Sequence, residues 1–212
     1  MNDPNWENKY ELLDYVMSFL ETAEDLNDVL AGYFSKLINM LTNKWADQFI
    51  PYLYENEERL MKFAEHSYSK SISEDLANIL RQDVPQSELI PNELIEQRRE
   101  AVVRALIENL KTENEMRLEE YCLNVAQLFQ DWALNWQIYP HLSSEWVIDQ
   151  LIGLAKQEGP RGIAALWILK TLILHLRSHV VFQINKNAKE TNKENAAEEG
   201  MSSIMLGEEE EE

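Results

Sequence analysis

Apolar residues return every three or four positions along this chain, and that period decides what it can become. The clearest instance is "DLNDVLAGYFSKLINML", Asp25 to Leu41. In it Leu26, Val29, Leu30, Tyr33, Phe34, Leu37, Ile38 and Leu41 follow one helical stripe. No segment shows the apolar–polar alternation of a half-buried strand, so the expected fold class is all-α. Ala31, Gly32, Tyr33 and Phe34 read as packing positions, the small pair marking a close helix crossing. Without such a crossing Gly32 is a cost of roughly 1 kcal/mol relative to alanine.

The same period sets the expected elements. A first helix covers about Trp6 to Glu21, and Asp25 is the expected N-cap of the second. Pro51 kinks or starts the third, and Leu60, Met61 and Ala64 group in the next. Ser71 and Glu74 form a capping box ahead of the following apolar run. Pro85 and Pro91 then break the chain. Longer helices are expected from about Asn92 to Leu110 and from about Glu115 to Trp136. Ser143 or Ser144 caps one more, after which "EGPRG" supplies a glycine stop and a proline start. The last helix, about Arg161 to Phe182, is apolar nearly all round and should be enclosed by neighbours. Lys170 and His175 make it too polar, and its apolar run too short, for a membrane span.

Residues 6–182 therefore read as one helical domain and 183–212 as a disordered acidic tail. About nine helices on short turns fit either a globular bundle or an armadillo/HEAT-like α-solenoid, and the run of amphipathic hairpins favours the solenoid.

Acidic residues outnumber basic ones 38 to 19, a net charge of −19. That argues against nucleic acid and against anionic membranes as partners. One cysteine, Cys122, makes no intramolecular disulfide, and the N-terminus shows no secretory pattern. A soluble, cytoplasmic protein is expected, with the nucleus as a second location.

No catalytic constellation emerges, so the chain is expected not to be an enzyme and to need no cofactor or metal. His175 and His179 stand four apart but lack the further ligands that zinc takes. Glu65 and His66 read as an exposed helix end, and Cys122 as a small core residue. Glu119 and Glu120 select nothing in so acidic a chain. Arg98 and Arg99 can bind an acidic or phosphorylated partner, or else join Glu96 and Glu100 on a solvated face. Trp132 and Trp136 offer a partner groove or, more commonly, core packing.

The block from Leu26 to Leu80, with Leu26 to Lys36, Asn43-Lys44, Pro51 to Leu53 and His66 to Leu80 in succession, resembles the SAPS family. These are regulatory subunits of the protein phosphatase 6 type of serine/threonine phosphatase. Asp75 stands where that pattern has a leucine. Glu93 to Leu110 and Gly162 to Arg177 are similar to later helices of the family, while the match between Lys111 and Pro160 is poor. The resemblance implies an armadillo/HEAT-like scaffold that holds a phosphatase catalytic subunit, with ankyrin-repeat or other scaffold proteins as further partners. A general helical adaptor unrelated to phosphatases is the alternative.

Overall fold

A computed structural model describes residues 10–22, 24–84, 90–112 and 116–207. Among the described residues there are ten α-helices, one 3-10 turn and no strand. α1 (Glu11–Met17) leads through the 3-10 turn Ser18–Glu21 to α2 (Asp28–Lys44), α3 (Ala46–Glu55), α4 (Glu57–Glu65) and α5 (Lys70–Arg81). Then come α6 (Asn92–Thr112), α7 (Leu118–Trp132), α8 (Tyr139–Leu142), α9 (Glu145–Ala155) and α10 (Pro160–Gly207).

The chain divides into two compact units, Met1–Leu172 and Ile173–Glu212. In the first unit α2 packs on α3 and α5, α4 on α5 and α6, α5 on α7, and α6 on α7, α8 and α9. These close contacts join elements no more than three apart in chain order. Trp132, Tyr52, Tyr54, Tyr121, Phe49, Phe63 and Phe129 are its largest fully buried side chains. Burying an aromatic of this kind contributes on the order of 2–3 kcal/mol each before entropy is counted. In the second unit Ile173, Leu174, Leu176, Val180, Val181 and Ile184 are exposed.

Several local expectations hold. Ser144 is the N-cap of α9, its hydroxyl accepting from the Val147 amide. Gly159, at φ +89°, turns the chain where only glycine is unstrained, and Pro160 opens α10. Others are corrected. Asn27, not Asp25, caps α2, its side chain accepting from the Val29 and Leu30 amides. Asp25 is instead paired with Arg117 at 3.1 Å. The Ser71–Glu74 box does not form, because α5 already starts at Lys70 behind Ser69. Pro51 lies inside α3, five residues after Ala46 begins it.

The stripe of α2 is only half used. Ala31, Phe34, Ile38 and Leu41 are buried, but Val29, Leu30 and Tyr33 are exposed. A Cβ built on Gly32 meets nothing within 4 Å, so Gly32 is not at a helix crossing. Ala31 and Phe34 are core positions; Gly32 and Tyr33 are not. The stripe was wider than the one inward face that a neighbouring helix can cover.

α10 departs furthest from expectation. Over Pro160–Val181 it is long and apolar enough, by length and composition, to cross a membrane, yet only 22% of that window is buried. Ala164, Ala165, Ile168 and Leu172 face the core of the first unit, whereas Ile163, Leu166 and Trp167 are exposed. Among the described residues, neighbours do not enclose it. The helix continues past Phe182 to Gly207. That segment has no proline and, before Gly200, no glycine, so alanine, lysine and glutamate supply enough local propensity for the backbone to stay helical. Residues 208–212, the acidic end, lie outside the described residues, as does Pro85.

Candidate functional site

Asp75 is the most unusual ionisable residue of the first unit. α5 presents it to α2, where it is 1% exposed. Its Oδ1 accepts from the Ser35 hydroxyl at 2.8 Å and from the Asn39 amide at 3.0 Å. Its Oδ2 is buried without a hydrogen-bond partner among the described residues. Burial pushes the carboxyl up to about 7, with nearby Glu74 adding to the rise and the Ser35 bond opposing it. Asn78 donates to Asn39, and Arg81 donates to Asn78, extending a polar seam between α2 and α5.

A second cluster joins α1, α3 and α4. The Arg59 guanidinium donates to Asp14 at 3.0 Å and to the Tyr52 carbonyl at 2.6 Å, and lies 3.6 Å from the centre of the Tyr52 ring. The Tyr52 hydroxyl donates to the same Asp14 oxygen at 2.7 Å. Burial, then the Asp14 carboxylate, raise the phenol well above its usual value. A cavity of about 180 Å³ beside it is lined by Asp14, Glu21, Tyr52, Asn56, Arg59 and Lys62 among others. Asp14 already accepts two charge-assisted or phenolic hydrogen bonds, so the cluster ties the N-terminal helix to the hairpin behind it.

Arg98 and Arg99 are struts rather than an open anion site. Arg98 pairs with Glu57 and donates to the Tyr54 carbonyl. Arg99 is buried, donating to Glu96 at 2.9 Å and to Gln137 at 3.0 Å. Glu96 also meets His141 at 2.8 Å, so one carboxylate bridges α6 to α8. Only the Glu96 partner was foreseen; the solvated face was not found for Arg99, because α6 turns it toward the 135–138 turn. Arg104 alone of the three pairs with Glu100 in the open.

The histidines separate. His66 is buried, not an exposed end: its ring nitrogens bond the Tyr68 hydroxyl at 3.1 Å and the Leu20 carbonyl at 2.9 Å. That carbonyl is 46 residues away, which no local pattern announces. His175 and His179 lie in the second unit, and among the described residues no group of three potential metal ligands forms. Trp132 is fully buried, its indole donating to the Ala77 carbonyl at 3.3 Å, but Trp136 lies past the end of α7 and is exposed.

An apolar groove of about 260 Å³ runs between α7 and the first turns of α10. Cys122, Leu123, Ala126, Ile163, Ala164 and Trp167 line it, with Glu119 at its edge. Cys122 is 3% exposed and serves as a small core residue in its wall, as expected. No family model matches the chain, and neither a curated protein nor a solved structure matches it.

Proposed function

We propose that this chain is a non-catalytic helical scaffold of the SAPS kind, a regulatory subunit that holds a serine/threonine phosphatase catalytic subunit and directs or modulates it. The observation that carries the reading is a coincidence of sequence and packing. The block that resembles the family in succession, Leu26 to Leu110, folds as α2 to α6, each packed on elements near it in order. Such progressive stacking is what an armadillo/HEAT-like array uses to present an extended surface without long-range pairing. The exposed apolar side chains of α2 and α10 supply anchors of the type that dominate protein–protein affinity. Asp75 at the position of a family leucine is accommodated by the Ser35–Asn39 hydrogen bonds, so the departure does not break the α2–α5 packing.

The test is affinity purification of the whole chain from cells that express it. A serine/threonine phosphatase catalytic subunit of the phosphatase 6 type should be enriched stoichiometrically. Its complete absence, with other proteins recovered, would overturn the reading.

A further inference from the structure

α2 has an inner side that packs into the core and an outer side with its own pattern. A helix advances by about 100° per residue, so Val29, Tyr33, Lys36, Met40 and Lys44 share an outward arc of roughly 80°. All five are exposed, Val29 and Tyr33 by 65% and 63%. Their separations of four, three, four and four residues are those of the seam on which one helix receives another. Leu30 and Trp45, both at least half exposed, flank the seam. The Gly32 backbone lies beside Val29 and Lys36 with open space above it, which admits close approach.

Charge selects the occupant. No acidic residue lies between Asp28 and Asp47, in a chain whose acids outnumber its bases 38 to 19. Every cation of α4 and α6 has a carboxylate partner. Lys36 and Lys44 have none among the described residues; Lys36 rests only against the Tyr33 ring, 5.3 Å from its centre. A second copy of α2 in the same seam would bring lysine against lysine, and an anionic bilayer would meet a molecule of net charge −19.

We propose that the outer face of α2 is the docking site for an acidic amphipathic helix of a partner protein. Its apolar seam sits on Val29, Tyr33 and Met40, and its flanking carboxylates pair with Lys36 and Lys44. The scaffold reading offers the exposed apolar side chains of α2 and α10 only as anchors; this assignment fixes one face of α2 and the chemistry of its occupant, and it stands whether or not the partner is a phosphatase.

The experiment displays a library of helical peptides with leucine fixed at three- and four-residue spacing and the other positions drawn from Glu, Lys, Gln and Ser. The library is selected on the full chain, on Lys36→Glu with Lys44→Glu, and on Tyr33→Ser with Met40→Ser. Circular dichroism checks that each variant is folded, as substitution at exposed positions should allow. The expected result is a Glu-rich pool on the unaltered chain, with affinity about tenfold or more weaker for both variants. A Lys-rich pool that follows the net charge, no enrichment, or a Glu-rich pool retained equally by the variants would overturn the proposal. So would self-association, or binding to phosphatidylserine vesicles, that is abolished by the same substitutions. A chain that captures the Glu-rich pool but no phosphatase would refute the scaffold's named partner and leave this surface standing.

Discussion

Gly32 in α2 and Gly162 in α10 both stand in apolar helical text, each next to an alanine-containing stretch that promises tight packing. At Gly32 an added Cβ meets nothing within 4 Å; at Gly162 it would collide with the Gln157 carbonyl oxygen and lie 3.1 Å from its carbon. Gly162 is therefore fixed by the turn between α9 and α10, where the C-terminal carbonyls of one helix pass under the first turn of the next. The contact is with backbone, which cannot rotate away as a side chain would. Sequence pattern cannot tell these cases apart, since both are small residues in a helical period. The strongest way to break the comparison is Gly162→Ala. It should destabilise the chain by about 3 kcal/mol, read as a lower midpoint in urea unfolding. An unchanged midpoint would mean that the α9–α10 turn relaxes freely and that the two glycines are equivalent.

The inner side of α2 is fixed by a different interaction, and it carries a pH dependence. Asp75 has its carboxyl raised from an ordinary 3.8 to about 7, so the folded state holds a proton that the unfolded chain releases. Its contribution is fully present below about pH 4 and is lost as pH rises through about 7. Such a displacement corresponds to a ceiling of about 4 kcal/mol, of which relaxation around the seam should leave about 2. Asp75→Asn keeps an acceptor for Ser35 and Asn39 and removes the titration. The variant should match the unaltered chain at about pH 3 and exceed it by about 2 kcal/mol at pH 8, with the difference opening between about pH 4 and 7. A constant difference across the range would show that Asp75 titrates normally. The charged groups along the seam, Glu74 and Arg81, are the same in both proteins and cancel in the comparison.

These cases mark what the sequence could and could not convey. Helical period alone identified the fold class, because backbone hydrogen bonding leaves few ways to bury so regular a stripe. The α9 cap at Ser144 and the Gly159–Pro160 junction were legible because each depends only on adjacent residues. Asp25 was misread as a cap because Arg117, 92 positions on, claims its carboxylate. His66 and Arg99 were misread as exposed because Leu20 and Gln137, distant in sequence, complete their surroundings. α10 shows the limit from the other side. An all-apolar helix says that burial is favourable, not that a neighbour is there to provide it. The buried carboxyl of Asp75 was not legible, since neither its depth nor its titration has a local signature.

The smallest expected effect returns to the outer side of α2. Gly32 has ordinary helical backbone, with no positive φ to forbid a side chain, and open space where a Cβ would stand. The remaining difference between glycine and alanine is the chain entropy lost on forming the helix. Gly32→Ala should therefore stabilise the protein by about 0.5–1 kcal/mol, raising the thermal midpoint by about 1–4 °C in a chain of this size. Gly32→Leu should fold as well as the unaltered chain, because its side chain extends into solvent. A loss of stability in either variant would place a neighbour over Gly32 and restore the helix crossing that the apolar stripe suggested. A gain would show that the fold does not require this glycine, leaving its open backbone free for a partner's approach.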